Sequence, residues 1–261
     1  MTTVFRRLRE RVKRLVNRFF AAAGLELRRA PYAPAATLEL TLAHLLAVEM
    51  AKGGEPVVVQ VGANDGATGD PLFGLIHGEA SMRGLLIEPQ ATAFERLARA
   101  YAEHPGITLL NVAIAAQDGP VELFAVDPDR RHELPRHLRD WVDQITSASR
   151  RHLELHLADH VARPGDWIKP LTVPGLTLSS ALAEAGLRRF DALQIDVEGM
   201  DNIVLDQALD AGLRPRWIAF EHCHLSHSDR RQAWARLEEL GYALNLEGTD
   251  TIASLEATIG G

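Results

Sequence analysis

VVVQVGANDG, residues 57–66, joins a short β-branched run to a turn that holds Gly62 and Gly66. Four valines flank the single polar residue Gln60 without any apolar–polar alternation, which predicts a central parallel strand covered on both faces. Glycines directly after such a strand let the backbone turn sharply and approach a ligand closely. The spacing is not that of a dinucleotide fingerprint, because Gly62 is followed by Ala63 and Asn64, and no Lys-Ser/Thr pair closes the loop as in a nucleotide-triphosphate site. Asn64 and Asp65 instead suit a ligand that presents an ammonium group and a carboxylate.

Strand and helix patterns alternate on both sides of this turn. Residues 37–51 have helical spacing and end at Gly53-Gly54. Residues 84–88 form a second apolar strand ending on Glu88, and residues 91–103 a helix. A third strand is read over 107–114, with 121–126 returning beside it as a hairpin partner. Helices at 178–185, 202–210 and 229–240 then alternate with strands at 192–196 and 217–221, before a final pair at 242–246 and 251–253. The order implies a doubly wound, Rossmann-like α/β fold with helices on both faces of a mostly parallel sheet. Residues 127–170 interrupt it: charged and histidine-rich, they read as an insertion of one or two helices that forms a lid over a substrate site.

A carboxylate at the end of the second strand accepts hydrogen bonds from both hydroxyls of an adenosine ribose and repels a 2′-phosphate. Glu88 is that carboxylate, about 25 residues after the glycine turn, and Asn111 and Ala113 would border an adenine ring. The cofactor-binding candidates are therefore Gly62, Asn64, Asp65, Gly66, Glu88, Asn111 and Ala113. The competing assignments are Asp65 as a helix cap and Glu88 as an ordinary surface carboxylate.

The 261 residues are 46% hydrophobic and 24% charged, as in ordinary globular domains. A lone cysteine, Cys223, excludes an internal disulfide framework and fits a reducing, cytoplasmic compartment. Net charge is -7, yet the first thirty residues hold nine Lys/Arg against Glu10 and Glu26, a local +7 that leaves -14 for the remainder. So acidic a body argues against nucleic acid as partner. Residues 4–20 set Phe5, Leu8, Val12, Leu15, Val16 and Phe19 opposite arginines at helical spacing. Such a helix either lies peripherally on the anionic inner face of a membrane or packs on its own domain. Residues 30–34, Ala-Pro-Tyr-Ala-Pro, end it, so residues 1–36 read as helix and linker and 37–261 as the main domain. No apolar run is long enough to span a bilayer.

VQVGANDG (59–66), LLIEP (85–89), LNVAI (110–114), LTLSSAL (176–182), FDALQIDVEGMDNIVL (190–205) and IAFEH (218–222) together resemble the FkbM family of S-adenosylmethionine-dependent methyltransferases. Gly241-Tyr242 and Asp250 to Ala253 fit as well, so the resemblance covers about residues 55 to 255; Asp201 departs from the family's usual Glu. It implies a class I methyltransferase fold with a seven-stranded sheet, S-adenosyl-L-methionine as cofactor, and methylation of a hydroxyl. Bacterial members often act on sugars or polysaccharide precursors, which implies a saccharide or small-molecule acceptor.

Methyl transfer requires the acceptor oxygen to be held in line and its proton removed. Asp196, Glu198, Glu221 and His222 fall at the ligand ends of neighbouring strands and are the catalytic candidates. Either Asp196 or His222 serves as base, or Asp196, Glu198 and Glu221 hold a divalent cation that acidifies the hydroxyl; otherwise Asp196 and Glu198 only brace the turn at Gly199. The metal-free scheme is the expectation. His152, His156 and His160 recur every fourth residue, a spacing that can ligate zinc but that more often marks a solvated helix face. His224 and His227 either line the acceptor pocket or cover the next helix start. Two rival functions remain: a metal-dependent glycosyltransferase using Asp196 and Glu198, and a binding module that keeps the fold without the chemistry.

Overall fold

In the computed structural model the described residues are 41–139, 142 and 145–255. The amphipathic segment 4–20 and its linker lie outside them. Among the described residues no helix is long and apolar enough to cross a membrane.

The main sheet has seven strands. In chain order these are β1 (Val57–Val61), β2 (Arg83–Ile87), β3 (Ile107–Leu110), β7 (Ala192–Ile195), β8 (Trp217–Glu221), β9 (Tyr242–Glu247) and β10 (Asp250–Leu255). In space they run β3-β2-β1-β7-β8-β10-β9, with β10 alone antiparallel to its neighbours. The chain thus proceeds outward from β1 through β2 and β3, then returns to place β7 on the other side of β1. That reversal leaves a crevice between the C-terminal ends of β1 and β7, the position at which open α/β sheets bind ligands.

Successive strand residues enter different cores, as the two-residue period of a strand demands. Val59, Val61, Leu85 and Ile195 pack against helices α6 (Leu178–Glu184), α7 (Asp201–Asp210) and α8 (His227–Glu239). Val58, Leu86 and Ala192 pack on the opposite face against α1 (Leu42–Met50), α2 (Phe73–Gly78) and α3 (Ala91–Ala100). The doubly wound α/β architecture read from the sequence is the one observed.

Two expectations are corrected. The third strand stops at Leu110, and β4 (Ala113–Ile114) belongs to a separate three-stranded sheet ordered β4-β6-β5. β5 (Gly119–Val126) is not a hairpin partner of β3; it pairs antiparallel with β6 (Ile168–Leu176), the strand that follows the insertion. Pro170 and Pro174 hid β6 in the sequence, since proline lacks the ladder donor. They are tolerated because the two-residue β4 pairs only with Gly175 and Leu176, leaving the rest of that β6 edge unladdered. Between β5 and β6 the insertion folds as short helical turns, α4 (Arg136–Arg139) and α5 (Arg150–Leu157), around their own apolar cluster of Leu134, Leu138, Leu153, Leu157 and Trp167.

Candidate functional site

A cavity of about 180 Å³ opens at the β1/β7 crevice. Its floor is the turn after β1. Gly62 has φ +85, and a Cβ there would lie 1.7 Å from the Asp196 carbonyl oxygen, so only glycine lets the two strand ends close together. The amides of Gly62 and Ala63 both donate to the Ile87 carbonyl at 2.9 Å, which fixes the turn against β2. Asn64 follows with φ +49, and Glu198, after β7, has φ +53. Both of these left-handed non-glycine residues line the cavity. Such conformations are costly and persist where surrounding structure enforces them, commonly at functional sites.

Glu88 is 6% exposed and lines the cavity. Its Oε2 accepts the Asn64 amide and its Oε1 the Gln90 amide, each at 2.8 Å. Burial outweighs those two bonds and pushes its pKa up to about 7. One lone pair on each oxygen remains for a ligand. Three buried side-chain acceptors around the same cavity, Gln60 Oε1, Asn64 Oδ1 and Asp70 Oδ2, have no hydrogen-bond partner among the described residues. Unsatisfied buried acceptors cost about 1–3 kcal/mol each, a cost that a ligand donating hydrogen bonds would remove. No basic residue lines the cavity among the described residues, whereas Asp70, Glu88, Asp196 and Glu198 all do.

The other cofactor candidates divide. Ala113 lines the cavity beside Ile87, Val112 and Ile114, an apolar wall of the kind a flat ring needs. Asn111 does not; its Nδ2 donates to the Glu88 and Pro89 carbonyls at 2.8 and 3.1 Å and so positions the Glu88 backbone. Asp65 turns inward on its own loop, with Oδ1 accepting from the Ala67 and Thr68 amides and Oδ2 from the Thr68 hydroxyl. Gly66 packs against α3, where a Cβ would meet Leu97 at 2.4 Å. Asp65 and Gly66 therefore shape the loop from outside the cavity.

At the β7 and β8 ends, Asp196 and Glu198 face the cavity. Asp196 lines the cavity and is solvent-exposed, yet the surrounding protein, then the charges of Glu221 and Glu198, push its pKa up to about 7. Glu221 lies behind them, its Oε2 3.2 Å from His224 Nε2, and burial pushes it up to about 7. Buried Asp201 braces the turn by accepting the Gly199 and Glu221 amides, each at 3.3 Å, so the exchange of Glu for Asp at this position keeps a working brace.

His222 is not part of this group. Its ring is 8% exposed and meets Thr251 Oγ1 at 3.0 Å and the Trp234 ring edge-on. Consecutive residues at a strand end point to opposite faces, so Glu221 and His222 cannot both serve the cavity. Glu221 is turned toward His224, behind the residues that line the cavity and not among them.

The insertion reaches the cavity mouth through Thr146, Ser147 and Ala148. Ser147 Oγ donates to the Glu198 carbonyl at 2.9 Å, and Gln90 Nε2 to Thr146 Oγ1 at 3.0 Å. α5 ends at Leu157, which leaves His160 outside the helix, but His152 and His156 meet Glu198 and His224. His227 starts α8 and contacts Arg230 instead. The sequence reading missed Gln60, Asp70 and the 146–148 segment. Gln60, the one polar residue inside β1, was the available signal; Asp70 and Thr146 carry none.

Comparison with solved structures finds the methyltransferase domain of METTL16 (TM-score 0.45, 12% identity, 95% of this chain and 81% of that one). It also finds a putative O-methyltransferase from Klebsiella pneumoniae (0.39, 14%, 94% and 90%) and the human methyltransferase 10 domain containing protein (0.39, 12%, 95% and 98%). TM-scores this low carry no functional argument. No curated protein matches the sequence. The methyltransferase FkbM domain, by contrast, matches residues 60–244, the stretch that supplies every described cavity-lining residue, and the chain belongs to that family.

Proposed function

We propose that this chain transfers a methyl group from S-adenosylmethionine to a hydroxyl oxygen of a saccharide or small-molecule acceptor. One observation carries the reading: three unpartnered buried acceptors and the Glu88 carboxylate surround a single cavity that no described basic residue lines. An ammonium group and a ribose diol would satisfy those acceptors, whereas a diphosphate would face four carboxylates.

S-adenosylmethionine supplies an electrophilic methyl carbon on a sulfonium sulfur. Glu88, held by its two backbone amides, accepts the ribose hydroxyls through its remaining lone pairs. Asn64 Oδ1, Gln60 Oε1 and Asp70 Oδ2 accept from the ammonium. The Ile87–Ala113 wall excludes water from the adenine. Asp196, which directly follows β7 and lines the same cavity, takes the acceptor proton. Such a base contributes about 10²–10⁴-fold, with alignment of the acceptor contributing the larger share.

Isothermal titration with S-adenosylhomocysteine tests the cofactor half of the reading. Micromolar binding that is lost in Glu88→Ala is the expected result. Silence with S-adenosylhomocysteine together with manganese-dependent UDP binding would instead favour a nucleotide-sugar enzyme. Mass spectrometry of a glycan extract incubated with labelled cofactor then tests the acceptor, the labelled methyl being expected on an oxygen.

A further inference from the structure

We propose that His152, His156, His224 and Glu198 form a site for one divalent transition-metal ion of the zinc class at the acceptor end of the cavity. The four side chains come from three separate elements: two from α5, one from the β7–α7 turn and one from the β8–α8 loop. One ligand atom from each lies within 4.8 Å of all the others. His152 Nε2 is 2.8 Å and His224 Nε2 3.9 Å from the same Glu198 Oε2. The three rings enclose a triangle with centroid separations of 4.4, 4.6 and 5.1 Å. Ligand atoms around tetrahedral zinc stand about 3.4 Å apart, given metal–ligand distances of about 2.0–2.1 Å. Small side-chain rotations would bring the observed set, already within 4.8 Å, to that geometry.

A solvated histidine face would leave its rings in water. Here His152 is 14% and His224 21% exposed, and each is turned toward Glu198. His152 and His156, four residues apart on one helix, present their rings in the same direction. Glu198 is aimed from a left-handed backbone position, and the Ser147 hydroxyl on its carbonyl fixes that turn to the insertion. Three imidazole nitrogens and one carboxylate oxygen suit zinc and its transition-metal neighbours; magnesium and calcium take sets made of oxygens. Glu198 also lines the cavity, so a bound ion sits where an acceptor hydroxyl arrives and can expand to take it as a fifth ligand. That use of the ion rests on the methyl-transfer reading, whereas the binding itself does not.

A second grouping, Glu221, Cys223 and His224, shares His224 and would bring a thiolate. The test separates the two. The purified full chain is stripped with a chelator, dialysed and titrated with Zn²⁺ and with Co²⁺, and circular dichroism and S-adenosylhomocysteine calorimetry are recorded on each sample. One equivalent of metal per chain is expected, with visible cobalt bands of a four-coordinate nitrogen–oxygen site. His152→Ala, His156→Ala and His224→Ala should each weaken binding on the order of 100-fold or more, above the roughly 10–100-fold cost of losing an outer partner. His160→Ala should leave it unchanged. His156→Gln and His224→Gln, which keep the packing volume, are carried alongside in case an alanine variant fails to fold.

A folded wild-type chain that takes up no metal overturns the assignment, as does uptake that survives both α5 substitutions. A near-ultraviolet thiolate–cobalt band that disappears in Cys223→Ser also overturns it, in favour of the other grouping. Metal uptake without S-adenosylhomocysteine binding would sink the methyl-transfer reading and leave the metal site standing.

Discussion

At Asn64 the demands of the fold meet those of the proposed ligand. Its backbone is left-handed, its amide donates to Glu88, and its side-chain oxygen is buried without a partner among the described residues. Glycine accepts that φ without strain and keeps the amide. Asn64→Gly should therefore change stability by no more than about 1 kcal/mol, because relief of a buried unpaired acceptor offsets the added chain entropy. Binding of S-adenosylmethionine should nonetheless fall roughly tenfold, the cost of one lost hydrogen bond to a charged donor. Urea denaturation and calorimetry read the two quantities on the same samples, and a parallel loss of both would show that Asn64 serves the fold instead. Glu88→Gln probes the neighbouring group differently. An amide nitrogen must face either the Asn64 or the Gln90 amide, setting donor against donor, so cofactor affinity should fall about 10–100-fold.

Elements show how far a sequence can be read before its neighbours are known. β1, β2, β7 and β8 announce themselves by mainly apolar runs, interrupted inside only at Gln60 and Gln194, and the structure places each within a residue of its expected bounds. Their order followed from alternation, and with it the position of Glu88 and Asp196 at one crevice. β6 was illegible because its partner, β5, lies across the whole insertion, and its prolines fit only beside a two-residue neighbour. The histidines of α5 were visible as a periodic face, but their meeting with His224 depends on where an insertion docks, which no local pattern encodes. The β1–β7 junction rests on one close approach, at Gly62. Gly62→Ala would drive a methyl into the Asp196 carbonyl and should cost more than about 3 kcal/mol, in the range of severe backbone and packing conflicts. Gly69, with φ +75 and nothing within 4 Å of its would-be Cβ, is the matched control; Gly69→Ala should cost about 1–2 kcal/mol from left-handed strain alone. Equal losses in the two variants, measured by chemical denaturation, would mean that close approach of the two strands is not what Gly62 secures.

At the scale of the whole molecule, the acidic cavity couples stability to pH and to ligand. The Glu88 carboxyl is pushed up to about 7 from an ordinary 4.5, chiefly by burial, and burial raises Asp70 in the same direction. Between those values the folded chain holds protons that the unfolded chain has released, so stability falls as pH rises through the window. Below about pH 4.5 the Glu88 contribution is fully present, and above about pH 7 it is gone, a loss on the order of 3 kcal/mol for a group this buried. A cation that donates into the cavity favours the ionised carboxylates and should restore what ionisation removed. The sulfonium cofactor should therefore raise the melting temperature more at pH 8 than at pH 5.5, and it should exceed its product S-adenosylhomocysteine, which keeps the ammonium and carboxylate but lacks the sulfonium charge, by a margin that widens with pH. In Glu88→Gln the slope of stability between pH 4.5 and 7 should flatten. The matching experiment is a set of melting curves across that range with cofactor, with product and with neither. If the cofactor's advantage over the product were the same at both pH values, the cavity carboxylates would have no electrostatic hold on the sulfonium, and the crevice would be recognising only the groups that cofactor and product share.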